Sequence, residues 1–131
     1  MNAKTAARLA RLKSSRIARN WVDQDQGLGC RVGGRIVVDD DRFFEKITGG
    51  TGLLDWSQTK TYAASIVGEH RLCADLDFYI ALEALIPDTV TWTQGWFKDN
   101  FGYWSSACIP WRDVARLAYA HAEASRGGEA P

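Results

Sequence analysis

The stretch CRVGGRIVV, residues 30–38, carries the clearest structural signal in this 131-residue sequence. Two short runs that contain β-branched residues flank a Gly-Gly pair, which is the pattern of two strands joined by a two-residue turn. Both central residues of such a turn need a positive φ, and glycine adopts positive φ without a steric penalty. The sequence therefore predicts a β-hairpin in this stretch.

Upstream of the hairpin, residues 2–26 have the pattern of one amphipathic helix. The segment is rich in Ala, Leu and Arg, which favour helices, and it contains neither Gly nor Pro. On a helical projection Leu9, Ile17 and Trp21 fall on one side, and four cations fall on the other within about 80°. These cations are Lys4, Arg8, Arg11 and Arg19. We expect this arginine stripe to face away from the core.

The formal net charge of zero hides a separation of charge along the chain. Residues 1–20 carry six basic side chains and no acid, whereas residues 21–131 carry ten basic and 16 acidic side chains. A basic helix face of this kind is typical of surfaces that bind an acidic protein or nucleic acid. A solvated face, or one that docks on the protein's own acidic body, is the alternative. A membrane-surface helix is not expected, because bulky apolar residues are few apart from Trp21.

The rest of the sequence predicts helices and short strands in one α+β domain, residues 1–131. Acidic N-caps mark helix starts, and Gly or Pro marks helix ends. The first predicted elements are a helix over 42–47 capped from Asp39–Asp41, a loop over 51–54, and a helix from Asp55 or Ser57 to about Val67, with a strand over 62–67 as the alternative. They are followed by a helix over 75–86, a strand over 89–93, a turn at 98–100 between short strands, and a helix from Pro110 to about Arg126 before a loose tail over 127–131.

Aromatic residues are concentrated between residues 92 and 111, where seven occur in twenty positions. Most of them are expected in the core, but so many rings on short strands favour one or two at an exposed binding surface. Trp92, Trp96 and Trp104 are the candidate partner-binding rings. Stacking on nucleic-acid bases is not expected here, because Lys98 is the one cation between Leu72 and Trp111.

Residues 69–77 hold the densest set of chemically active side chains. His70, Asp75 and Asp77 are the candidates for a small hydrolase or transferase site. A zinc site is not expected, because no paired Cys/His spacing supplies four ligands. His121 lies on the apolar face of the last predicted helix, where we expect a hydrogen-bonded core histidine. Gly49–Gly52 lacks the Gly-Lys-Ser/Thr ending of a phosphate loop, so no cofactor is expected.

The three cysteines, at positions 30, 73 and 108, form no Cys-x-x-Cys pair. No signal-peptide core precedes them, and the longest apolar run, residues 78–82, is far shorter than the ~20 residues of a membrane span. We therefore expect free thiols in a reducing cytoplasm and no membrane partner. The basic, hydroxyl-containing and acid-free composition of Met1–Val22 also fits a mitochondrial transit peptide, which is the alternative.

These observations favour a small, non-enzymatic, cytoplasmic regulator or inhibitor that binds an acidic protein partner. Charge separation and an aromatic excess are features that protein interfaces use. An origin in a phage or mobile element, with host machinery as the target, is the expectation from base rates. The alternatives are a nucleic-acid-binding protein that uses the arginine stripe, and a small hydrolase or transferase around His70, Asp75 and Asp77.

Overall fold

Two segments of the chain, Met1–Gly52 and Leu53–Pro131, each form a compact unit. The computed structural model describes residues 1–86 and 107–129, with side chains up to residue 125. Within these residues seven helices accompany two short antiparallel strand pairs, as expected for the α+β class. The expectation of one domain over residues 1–131 stays a prediction.

The N-terminal basic segment forms two helices, α1 (Ala3–Leu9) and α2 (Ser15–Gln24), instead of one helix over residues 2–26. The break centres on Arg11, whose φ of 55° lies in the left-handed region. The Leu12 amide donates to the Ala7 carbonyl at 2.8 Å, and the Arg11 amide donates to the Arg8 carbonyl at 3.2 Å. This pair of bonds is a Schellman motif, in which arginine occupies the position that glycine usually takes.

The predicted hairpin is confirmed. Strands β1 (Gly29–Val32) and β2 (Arg35–Val38) pair antiparallel, and Gly33 and Gly34 have φ values of 56° and 81°. Along β2 the side chains alternate: Ile36 and Val38 are buried, whereas Arg35 and Val37 are exposed. The hairpin therefore gives one face of β2 to the core and exposes Arg35 on the other face.

Helix α3 (Asp40–Thr48) follows as predicted from its end signals. The Asp39 carboxylate accepts from the Arg42 amide at 3.1 Å, and Gly49 ends the helix with a φ of 63°. Phe43 and Phe44 are both buried, with ring centroids 5.7 Å apart in an edge-to-face arrangement. The core of this unit is completed by small and aliphatic side chains: Ala3, Ala6, Ala7, Leu9, Ala18, Val22, Leu28, Ile36 and Val38.

The second unit opens with a strand that the sequence did not predict. β3 (Leu53–Leu54) lies where a loop was expected and pairs antiparallel with β4 (Ile109–Pro110). Helix α4 (Trp56–Val67) settles the alternative of helix or strand over 62–67 in favour of the helix. Asp55 is its N-cap and forms a capping box with Gln58, in which each side chain accepts from the other residue's amide.

Three further helices complete the described part of this unit: α5 (Glu69–Ala74), α6 (Leu76–Glu83) and α7 (Trp111–Glu129). Helix α4 packs against α7, and the Tyr62 and Trp111 rings meet edge to face at 6.3 Å. Helix α7 continues beyond its predicted end at Arg126, through two glycines that were expected in a loose tail. A glycine inside a helix costs only about 1 kcal/mol relative to alanine, so a glycine pair does not by itself end a helix.

Several predictions lie outside the described residues: the strand over 89–93, the turn at 98–100, and the partner-binding rings Trp92, Trp96 and Trp104. Within residues 1–86 and 107–129, no helix is long and apolar enough to cross a membrane.

The left-handed conformation of Arg11 predicts an inverted order of stability between two substitutions. Arg11→Gly and Arg11→Ala both remove the guanidinium, so they differ only in the β-carbon. We expect the glycine variant to be more stable by about 1 kcal/mol in urea denaturation, because a β-carbon is disfavoured at positive φ. In a continuous helix over residues 2–26 alanine would instead be favoured by about 1 kcal/mol, and that order would contradict the break.

The turn of the hairpin yields a second prediction. A β-carbon at Gly33 or Gly34 would have no neighbouring atom within 4 Å, so any penalty for a larger residue there is conformational. Replacing both by Val should lower the free energy of unfolding by more than about 1 kcal/mol, because β-branched residues resist positive φ. Unchanged thermal stability of the double variant would contradict this turn geometry.

Candidate functional site

A groove of about 920 Å³ lies on the surface of the Met1–Gly52 unit. It is bordered by α1, the connection from α1 to α2, the start of α2, and both strands of the hairpin. Six cationic residues line it, whereas no Asp or Glu of the described residues does. The six are Lys4, Arg8, Lys13, Arg19, Arg31 and Arg35.

Local structure explains why these cations share one surface. Lys4 and Arg8 are one turn apart on α1, so they follow each other along the face opposite its buried alanines. Arg19 is exposed on α2, next to the buried Ala18 in sequence. On β2, Arg35 is exposed because its neighbour Ile36 points into the core. These four cations are therefore directed outward beside apolar neighbours that are directed inward.

The N-terminal residues join this helix pair to the hairpin. Asn2 forms an isolated antiparallel bridge with Val37, and the Val38 amide donates to the Met1 carbonyl at 2.8 Å. The Met1 ammonium donates to the Val38 carbonyl at 2.9 Å and forms an ion pair with Asp40 at 2.8 Å. These contacts place α1 beside β2, so that helix and strand cations border the same groove.

Most of the positive charge in the groove is not compensated by the described carboxylates. Arg31 alone of the six has an ion pair within the described residues: its Nε and Nη2 donate to the two carboxylate oxygens of Asp23 at 3.2 and 3.0 Å. The hydrogen bond and the charge of Asp23 raise the pKa of Arg31 above its ordinary value. Both side chains are about half exposed, so this pair is open to solvent and is weakly stabilising.

Three of the four stripe residues predicted from the sequence meet in the groove: Lys4, Arg8 and Arg19. Arg11 does not line it, because its left-handed backbone takes it off the shared helical face. Lys13, Arg31 and Arg35 were missed as site residues. Lys13 lies in the connection between α1 and α2, which a continuous helix would not contain, and the hairpin is joined to the start of α1 by the bridge between Asn2 and Val37.

In the second unit the candidate set His70, Asp75 and Asp77 does not assemble as expected. Asp75 pairs with His121, whose Nε2 lies 2.8 Å from a carboxylate oxygen, and not with His70. The other carboxylate oxygen of Asp75 accepts from the Phe78 amide at 3.0 Å and caps α6. His121 is half-buried, not fully in the core, and stacks on the Phe78 ring with centroids 4.5 Å apart. The Asp75 carboxylate is thus already engaged by α6 and α7.

A cavity of about 510 Å³ borders this pair, with Asp77, Arg71 and Ser125 also in its wall. His70 does not line the cavity, so the residues that the sequence grouped are divided. Within residues 1–86 and 107–129, no group of three or more His, Cys, Asp and Glu side chains is placed to hold a metal ion. The contacts of Asp75 and His121 link the start of α6 to α7, which is a structural role.

All three cysteines are free. Burial raises the pKa of Cys108 above its ordinary value, which lowers the fraction of reactive thiolate at neutral pH. Burial also raises the pKa of Tyr79, and the neighbouring Cys73 adds to that shift through its charge and a hydrogen bond. Both pKa changes move these groups away from ionisation and not toward the activated state of a nucleophile.

The dual role of Asp75 leads to a prediction about stability. Asp75→Ala should lower the free energy of unfolding by about 1–3 kcal/mol, because it removes a helix cap and a hydrogen bond to His121. Asp75→Asn is the matched control. Because asparagine caps helices well, this variant should lose less free energy of unfolding than Asp75→Ala. Urea denaturation of both variants measures the difference, and equal stability of wild type and Asp75→Ala would contradict this structural role of Asp75.

Comparison with protein-family models, with curated proteins and with solved structures finds no match for this chain. Functional interpretation therefore depends on the groove and its charges. Residues 1–52 carry ten Lys and Arg against six Asp and Glu, a net charge of +4. Residues 53–131 carry six against ten, a net charge of −4. The concave cationic surface belongs to the positively charged unit.

Proposed function

We propose that this protein is a non-enzymatic binding protein that holds an acidic partner in the basic groove of residues 1–52. The observation that carries the proposal is the set of six cations in one groove without an acid among the described residues lining it. Like charges brought together repel each other, so an arrangement of this kind is stabilised when a partner supplies the opposite charge.

The shape of the site supports a binding role more strongly than a charged but flat surface would. In a cleft lined by one sign of charge the field lines are focused, which raises the local concentration of an oppositely charged ligand and its association rate. Arginine forms two parallel hydrogen bonds to a carboxylate or a phosphate, and the groove contains four arginines. Recognition of an acidic group is the chemistry that these side chains perform best.

Within this proposal the protein acts as a regulator or inhibitor that covers a charged surface of its partner. We place it in the cytoplasm, a reducing compartment, which is supported by three free cysteines, two of them exposed. An enzymatic role around His70, Asp75 and Asp77 has less support, because the Asp75 carboxylate is shared between a helix cap and His121.

Two triple variants with the same change in charge test the proposal. Lys4→Gln/Arg8→Gln/Arg19→Gln removes three cations from the groove. Arg16→Gln/Arg42→Gln/Lys46→Gln removes three exposed cations of the same unit that do not line the groove. On immobilised heparin, a general polyanion, the groove variant should elute at clearly lower salt than the control variant. Both should keep a melting temperature close to that of wild type, because exposed charges contribute little individually.

Equal elution of the two variants would contradict the proposal, since binding would then depend on net charge alone. A lower melting temperature confined to the groove variant, with unchanged heparin binding, would also contradict it. In that case the groove would serve a contact with the protein's own acidic residues.

A further inference from the structure

We infer that the partner of the basic groove is the phosphate backbone of double-stranded nucleic acid, bound without regard to sequence; this rests on the proposed binding function. Phosphodiesters and carboxylates both attract cations, so charge alone does not separate nucleic acid from an acidic protein. Two observations separate these partners. One is the set of uncharged polar residues that lie among the groove cations, and the other is the position of the aromatic residues outside the groove.

The uncharged polar residues of the groove are of the types that proteins use to bind phosphate oxygens. Asn2, Ser14 and Ser15 line it together with the six cations. Protein–DNA interfaces place Asn and Ser side chains beside Lys and Arg on the phosphates, because hydroxyl and amide groups donate hydrogen bonds to phosphate oxygens. Ser14 is the N-cap residue of α2, yet its side chain makes no capping hydrogen bond. Its hydroxyl is therefore not committed to the helix end.

An acidic protein partner fits the groove less well, because no aromatic ring of the described residues lines it. Tight protein interfaces concentrate their binding energy in a few buried anchors, among which Trp and Tyr are prominent. The apolar lining consists of Met1, two alanines, Leu12, Ile36 and Val37, and Ile36 is buried. The interface that this lining offers is polar and strongly positive, as protein–nucleic acid interfaces are.

A single strand fits less well than a duplex for a related reason. Proteins that bind single strands stack the exposed bases on aromatic side chains. In residues 1–52 the aromatic residues are Trp21, Phe43 and Phe44. Both phenylalanines are buried, and the Trp21 ring lies 4.9 Å from the Lys46 ammonium, outside the groove. The unit thus offers cations for a backbone and no stacking platform beside them.

The concave shape argues for binding that is independent of base sequence. Base edges are read by a protruding helix or β-ribbon that enters a DNA groove. A concave surface instead receives a convex one, and the ridge of phosphates along a duplex is convex. The net charge of −4 on the second unit disfavours phosphate binding there, so we expect the phosphate contacts within residues 1–52. The six groove cations then make the phosphate contacts, so the affinity should be moderate and depend on salt.

Fluorescence anisotropy with the full-length protein tests this inference. The probes are two duplex DNAs of about 20 base pairs with unrelated sequences, a duplex RNA, a single-stranded DNA and a poly-L-glutamate of similar total charge. Titrations at several salt concentrations give the slope of log K against log salt. We expect similar affinities for the two DNA sequences, and at least about tenfold weaker binding of the single strand and of poly-L-glutamate. The duplex RNA distinguishes a general phosphate site from one restricted to DNA geometry.

The same pair of triple variants localises the contacts. Lys4→Gln/Arg8→Gln/Arg19→Gln should make the salt slope shallower by about 2–3, roughly one for each phosphate that is no longer neutralised, and should weaken binding at least tenfold. The control variant Arg16→Gln/Arg42→Gln/Lys46→Gln should change the slope by less than about 1. If the groove variant does not fold, Arg8→Gln and Arg19→Gln measured singly replace it.

Several results would overturn the inference. Poly-L-glutamate that binds more tightly than duplex DNA, with weaker binding confined to the groove variant, would assign the groove to an acidic protein and leave the proposed function intact. Preference for the single strand, or a tenfold difference between the two DNA sequences, would contradict a duplex backbone site. Equally weakened binding in both variants, for every probe, would contradict the proposed function as well.

Discussion

Because Arg11 adopts a positive φ, the chain leaves the axis of α1 after Leu9 and forms α2 beside it. In a continuous helix Lys4 and Arg19 would be separated by about 22 Å along the axis, at about 1.5 Å per residue. The turn brings these two cations to the same groove, which α1, α2 and the hairpin then border. One non-glycine residue in the left-handed region, at a cost of about 1–2 kcal/mol, therefore brings the cations of the two helices to one surface.

The packing that follows from this turn depends on small side chains. Helix α1 buries three alanines, Ala3, Ala6 and Ala7, and α2 buries Ala18. Alanine keeps the two backbones close and loses no side-chain entropy, so the apolar contact remains compact while long cationic side chains extend outward. The contacts of Met1 with the hairpin then hold the start of α1 against β2. Local conformation, core packing and surface charge thus support one arrangement.

Local signals in the sequence predicted the elements that depend on neighbouring residues, such as the hairpin at Gly33–Gly34 and the helix caps Asp39 and Asp55. The break at Arg11 was missed because it has no Gly or Pro, and its motif is defined by backbone bonds that other residues can also form. Contacts between distant residues, such as the pairing of β3 with β4, were beyond such reasoning because no periodicity encodes the choice of partner. The same holds for the groove, to which the hairpin contributes through its contact with the chain start. Composition identified the charges correctly, whereas their common surface is a property of the tertiary structure.

The opposite charges of the two segments also have a consequence for how such proteins are recognised in genomes. The isoelectric point of the whole chain is about 6.7, which does not distinguish it from an ordinary neutral enzyme. A ligand, however, responds to the charges within about one Debye length, roughly 8 Å at physiological ionic strength. Searches that rank candidates by whole-chain isoelectric point would pass over this groove, whereas the same calculation in a window of about 50 residues would reveal it.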